Sequence, residues 1–264
     1  MVRRVSEPSH AVKADRRSVA GTTSVWPCLM LDAAIFGVDR LEFALGQWKW
    51  PFAERRRDEI AAHFAMLCAE KPALWNGRVL MIEKSSYSLS NNTLRGRFFE
   101  ISFADLVAWR DWGYPGDDVI NGFAMGAIRA ADGAYLLGVM GAASVNAGHI
   151  YFPAGTPDRN DIVGETVNLA GSVAREVEEE TGLRLEDFEP AVAWTAVKIG
   201  PSLALMRHLQ ARENADVLRA RILANLERQK DPELADIRIV RSPDDYDPQM
   251  PQFMIAFLDH ALAR

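Results

Sequence analysis

The chain has 264 residues, 48% of them apolar and 25% charged, with 18 Gly and 13 Pro. That is enough for one or two domains with a real core, and it excludes collagen-like, low-complexity and wholly disordered chains. Thirty Lys and Arg against 36 Asp and Glu leave a net charge of −6, so no overall positive field ties the protein to nucleic acid.

Cys28 and Cys68 lie 40 positions apart with no CxxC or Cys/His cluster, which argues against a disulfide scaffold and a structural zinc site. No apolar run approaches the ~18–20 residues that span a bilayer. The most apolar stretch, Ala134 to Val145, is interrupted by Gly138 and Gly141. Residues 1–25 hold five basic and two acidic residues without a hydrophobic secretory segment. They read as a flexible tail, and the protein as cytoplasmic.

In chain order, Trp26 to Trp50 is apolar and aromatic, and Pro51 ends it. An amphipathic helix is expected over 53–70, with Ile60, Phe64, Leu67 and Cys68 on one stripe. Arg78 to Glu83 and Arg95 to Phe103 read as hairpin strands around a polar turn, and Asp105 to Trp112 as a short helix. Gly113-Tyr114-Pro115-Gly116 marks the expected boundary between an N-terminal α+β region, 26–116, and a second domain, 117–264. In the latter, Val119 to Arg129 and Tyr135 to Met140 flank the hairpin signal Asp132-Gly133, and His149 to Phe152 is a third apolar run. Helices are expected over 167–181, over 213–229 with Val217, Leu218, Ile222 and Leu226 inward, and over 253–262. Strands are expected at 192–198, 202–208 and 237–240. The alternation predicts a mixed α/β or α+β plan, not a doubly wound parallel sheet.

One segment carries chemistry, Arg175 to Leu183, REVEEETGL. On a helix Glu176, Glu179 and Glu180 are related by i, i+3 and i+4 and share a face. Three glutamates in a last helical turn oppose the helix dipole, and neighbouring like charges oppose one another's ionisation. From Pro157 to Pro190 there are ten acidic and three basic residues. A divalent cation relieves such crowding, and an oxygen-only cluster selects Mg²⁺ or Mn²⁺ over zinc.

The string R-E-V-x-E-E-x-G-L resembles the C-terminal half of the Nudix box, G-x5-E-x7-R-E-U-x-E-E-x-G-U with U aliphatic. Arg175, Glu176, Val177, Glu179, Glu180, Gly182 and Leu183 all match. Chance would give such a match on the order of once in 10⁴ chains of this length. The N-terminal half departs from the pattern: an ungapped count puts Asp161 at the glycine and Val167 at the glutamate. Phe152-Pro153-Ala154-Gly155 and Gly164-Glu165 restore the alignment if the loop between them is longer by four residues and the stretch to Arg175 by two.

The resemblance implies a Nudix α/β/α sandwich with a mixed sheet, preceded by the N-terminal α+β region. It implies hydrolysis of a pyrophosphate bond in a nucleoside diphosphate linked to another moiety. Glu176, Glu179 and Glu180 would be Mg²⁺ or Mn²⁺ ligands, with Glu179 or Glu180 nearest the attacking water and Arg175 orienting the glutamates. The phrases ALWNGRVL (73–80), AWRDWGYP (108–115) and NAGHIYFPAGTPD (146–158) are similar to a bacterial subgroup acting on UDP-sugars. A homodimer is the assembly the resemblance suggests, with a nucleotide derivative and neither nucleic acid nor membrane as partner. Arg95, Arg97, Arg129, Tyr151, Gly155 and Glu165 are the substrate-binding candidates; Arg95 and Arg97 alternate on one strand and so share a face. The alternative is a Nudix-like binding module that senses a nucleotide ligand without cleaving it.

Overall fold

The computed structural model describes residues 33–71, 74–142, 144, 146–189 and 193–263. The expected tail over residues 1–25 and Cys28 lie outside them. The first described strands are β1 (Ala34–Val38) and β2 (Arg40–Leu45). Pro51 opens α1 (Pro51–Arg55), where its missing N–H costs nothing, and α2 (Arg57–Glu70) follows a break at Arg56. The single helix expected over 53–70 is therefore two, and Ile60 and Phe64 are its buried residues while Leu67 and Cys68 are half-buried.

β3 (Arg78–Glu83), β4 (Ser88–Ser90) and β5 (Thr93–Ser102) form the expected hairpin, with β3 and β4 both antiparallel to β5. Asn91 and Asn92 make the two-residue turn at φ 48° and 52°, a region asparagine tolerates. Ser102 then caps α3 (Phe103–Asp111): its hydroxyl accepts the Asp105 N–H, and the Asp105 carboxylate accepts the Ser102 N–H.

β6 (Val119–Arg129) and β7 (Tyr135–Met140) coincide with the expected runs, and Gly133 at φ 87° turns between them. Four two-residue strands follow: β8 (Ile150–Tyr151), β9 (Ala154–Gly155), β10 (Ile162–Val163) and β11 (Thr166–Val167). After α4 (Leu169–Thr181) come β12 (Trp194–Ile199), β13 (Ser202–Gln210) and α5 (Ala215–Leu226). β14 (Leu234–Val240) and α6 (Gln252–Leu262) complete the described chain. Val217, expected inward on α5, is 51% exposed. Ala215, Leu218, Ile222 and Leu226 already fill the buried stripe, and Val217 lies one residue, about 100° of helix turn, off it.

The strands run β1-β12-β13-β6-β3-β5-β2-β11-β10, with β7, β8, β9, β14 and β4 branching from this path. Among the described strands β13 with β6 and β2 with β5 are parallel and the other pairs antiparallel, so the fold is a mixed α/β one. β6 is its centre. One edge pairs with β13 from Asn121 to Arg129, and the other meets β3, β9 and β7 in succession. The expected boundary at Gly113–Gly116 falls between α3 and β6, and among the described strands pairing crosses it three times, β1 with β12, β2 with β11 and β3 with β6.

Alternation along β3 and β5 serves two cores. Val79, Met81, Phe99 and Ile101 face a core with Trp50, Phe52, Phe64 and Trp109. Leu80, Ile82 and Phe98 face the larger core that contains Val173 and Val177 of α4. Among the described residues no helix is long and apolar enough to cross a membrane.

α4 reaches β6 because Gly126 has no side chain: a Cβ there would lie 2.5 Å from Cγ2 of Val177 and 3.0 Å from Cδ1 of Leu209. Gly126→Ala is expected to lower unfolding free energy by about 1–3 kcal/mol through overpacking, measured by urea denaturation. An unchanged midpoint would show that α4 is free to lift.

Candidate active site

α4 is specified at both ends and along one face. The Asn168 side chain accepts the Gly171 N–H at 3.0 Å, and Gly182, at φ 74°, stops the helix by donating to the Glu178 carbonyl at 2.8 Å. Leu169, Val173 and Val177, spaced by four, form the buried stripe. Because Val177 is inward, its neighbour Glu176 and the next-turn Glu180 sit at the buried margin, 8% and 2% exposed. The three glutamates expected to converge therefore divide: Glu179 is exposed, its side chain 60% accessible. Glu178 points away and pairs with Arg184 at 2.9 Å.

The buried pair lies against the Pro153–Gly155 backbone. Glu180 Oε1 accepts the Ala154 N–H at 3.1 Å, while Glu180 Oε2 is buried and has no hydrogen-bond partner. Gly155 makes room for Glu176: a Cβ there would lie 2.1 Å from its Oε1. That is the physical reason for a glycine at this position, whose φ is not in the left-handed region. Gly155 and Ala154 are fixed by pairing with Ala124 and Met125 of β6.

Burial sets the ionisation of both groups. It raises Glu180 to about 9, with the charge of Glu233 next and the Ala154 N–H pulling the other way. It raises Glu176 to about 7 against the opposing charge of Arg175. Like-charge repulsion among the helix glutamates, expected from their spacing, is secondary to desolvation in both.

Arg175 is the hub of the site. It bonds Asp161 Oδ1 at 3.0 Å, Glu176 Oε1 at 2.7 Å and Glu179 Oε2 at 3.4 Å. Burial alone would lower its pKa, but the bond to Asp161 and the three carboxylate charges hold it above the ordinary arginine value. Tyr151 belongs to the same neighbourhood. Its hydroxyl accepts from Asn146 Nδ2 at 3.2 Å, and burial, then the charges of Glu180 and Glu233, push its pKa up. The phenol therefore keeps its proton beside the carboxylates.

Glu233, just before β14, was not singled out by sequence reasoning. Its charge reaches Glu176, Glu180 and Tyr151, and its own pKa is raised by desolvation and then by Glu179. No motif surrounds it, so no signal in the sequence marks it.

The remaining candidates lie elsewhere. Arg95 pairs with Glu42 at 2.7 Å and Arg97 with Glu83 at 2.9 Å, both on β5. Glu165 contributes its carbonyl to Leu45 N–H from the turn between β10 and β11. Arg129 ends β6, five residues beyond the Gly155 contact at Ala124, and donates to the Gly133 carbonyl. Two open depressions of about 440 and 550 Å³ take in Arg95 and Arg129 respectively, and neither includes a glutamate of α4.

Among the described residues no three Asp, Glu, His or Cys side chains are already gathered as a cation cage. The donor set nonetheless fits a hard cation. It is all oxygen, two carboxylates are held one turn apart, and one buried oxygen has no partner.

No family model matches the chain, and no curated protein matches it. Among solved structures the chain is similar to a Nudix hydrolase from M. smegmatis, RenU. The identity is 17% and the TM-score 0.33, over 53% of this chain and 80% of that one.

Proposed function

We propose that this chain is a Nudix-type hydrolase that uses Mg²⁺ or Mn²⁺ to cleave the pyrophosphate bridge of a nucleoside diphosphate linked to a second moiety, with a UDP-sugar as the first substrate to test. The observation that supports this most is the placement of the REVEEETGL segment: its helix puts Glu176 and Glu180 against a glycine-opened backbone, with Glu180 Oε2 unpartnered. Glu176, Glu179 and Glu180 would hold the cation. When bound, that cation supplies charge neutralisation for the pyrophosphate and lowers the pKa of a coordinated water.

The protein's own residues do the rest. Arg175 orients Glu176 and Glu179 through its guanidinium. The protonated Tyr151 hydroxyl is a donor suited to a phosphate oxygen. Glu233, whose charge acts on Glu176 and Glu180, is a further carboxylate able to accept a proton.

The test is a panel of nucleotide derivatives with Mg²⁺ or Mn²⁺, products separated by chromatography. A mononucleotide and a phosphorylated second moiety are expected, and Glu179→Gln, at an exposed position, should lower turnover by about 10²–10⁴-fold while keeping the fold. Full activity in that variant would exclude this site. The two N-terminal box positions that depart from the pattern, Asp161 and Val167, favour one second reading, a nucleotide sensor. Thermal stabilisation by a nucleotide with no product over hours would select it.

A further inference from the structure

We infer that Asp161 is the positioning residue of the acidic helix, and that the N-terminal sheet exists in part to hold it there. The inference rests on the hydrolase reading and assigns a role to the long loop and to residues 40–102.

Asp161 is 3% exposed, and its polar atoms are hydrogen-bonded. Its Oδ1 takes Arg175 at 3.0 Å, its Oδ2 takes the Asp158 N–H at 3.0 Å, and its carbonyl takes the N–H of Asn168, the cap of α4, at 2.7 Å. One buried residue thus ties the loop to both the cap of α4 and its arginine.

The loop is stapled to the N-terminal strands on either side of Asp161. Leu80 N–H donates to the Pro157 carbonyl at 2.7 Å, and Val79 bridges Asp158. Arg159 grips Glu100 of β5 through two nitrogens, and Glu100 also takes Arg78 of β3 at 2.7 Å. Past Asp161, Leu45 N–H donates to the Glu165 carbonyl at 2.8 Å, and Thr166 pairs with Ala44.

Three carboxylates share the Arg175 guanidinium. Without Asp161 the guanidinium loses its fixed edge and turns freely, competing with a metal ion for the oxygens of Glu176 and Glu179. Asp161 anchors one edge of the guanidinium and so limits that competition.

The experiment uses the full-length protein with Asp161→Asn and the more peripheral Glu100→Gln. Three quantities are read: Mn²⁺ affinity by electron paramagnetic resonance, rotation of the Arg175 guanidinium by ¹⁵N NMR without metal, and the thermal midpoint. Asp161→Asn should weaken Mn²⁺ binding by about 10–100-fold and free Arg175 to rotate. Glu100→Gln should do both to a smaller extent. A purely structural role would lower the thermal midpoint but leave the Mn²⁺ affinity and the Arg175 spectrum of the folded protein unchanged, and that result overturns the inference. If Asp161→Asn does not fold, an unaltered Mn²⁺ affinity in Glu100→Gln overturns it equally. Should the wild type bind no Mn²⁺, the hydrolase reading falls, and the Arg175 resonances alone decide: locked in the wild type and free in Asp161→Asn supports the anchor, no difference refutes it.

Discussion

Glu180→Gln is expected to make the metal-free protein more stable at pH 8.5 and to abolish its hydrolysis. The Glu180 carboxyl is buried with Oε2 unpartnered, so the folded chain keeps its proton up to about pH 9. The unfolded chain releases that proton near the ordinary value of 4.5. Between these two values the folded state binds more protons than the unfolded state, and stability falls as pH rises. Each pKa unit is worth about 1.4 kcal/mol, so the loss between pH 5 and pH 8.5 amounts to about 4–5 kcal/mol. Glutamine cannot titrate and can still accept the Ala154 N–H. Urea denaturation at pH 5 and pH 8.5 should show the variant gaining on the wild type by that amount, while its turnover drops by about 10²–10⁴-fold. A wild type whose stability does not decline relative to the variant would mean that Glu180 ionises without penalty.

Divalent cation binding should be strongly pH-dependent and release protons. A carboxylate must be ionised to hold a cation, and Glu176 and Glu180 titrate at about 7 and about 9 in its absence. At pH 8 Glu176 is already ionised and about one proton, from Glu180, must leave; below pH 6.5 the number approaches two. The Mn²⁺ dissociation constant should fall by up to about tenfold per pH unit for each proton displaced. Isothermal titration in two buffers of different ionisation heat measures both quantities. At 100 times its dissociation constant the ion should add about 2.7 kcal/mol of stability and offset the alkaline decline described for Glu180. An affinity flat from pH 6 to 9, without proton release, would place the cation away from the buried pair.

The sequence was readable where periodicity and turn chemistry are local. β6 and β7 follow from alternation on either side of Asp132-Gly133, and α4 ends at Gly182 as its left-handed stop requires. β8 lies inside the expected apolar run His149 to Phe152, whereas the two-residue strands β9 to β11 were not legible, because two residues carry no period. They exist through partners far along the chain, such as Ala154 and Gly155 against β6. Val217 shows the limit of a purely apolar criterion: it is hydrophobic, but the stripe on α5 was complete without it.

For the site, the sequence alone established which residues bear the charge. Arg175, Glu176, Glu179 and Glu180 follow from one contiguous string, since helical spacing is a local property. The tertiary structure decided what each charge experiences. Burial against the 153–155 backbone, which separates Glu176 and Glu180 from Glu179, depends on Gly155 and Gly126 allowing close approach. Asp161, an apparent mismatch in the linear pattern, becomes the partner of Arg175 only after the loop is pinned to β3 and β5. Tyr151 joins the buried carboxylates from β8, and Glu233, just before β14, acts on them through its charge. Charge is written residue by residue, whereas desolvation and pairing depend on which distant segments fold over it.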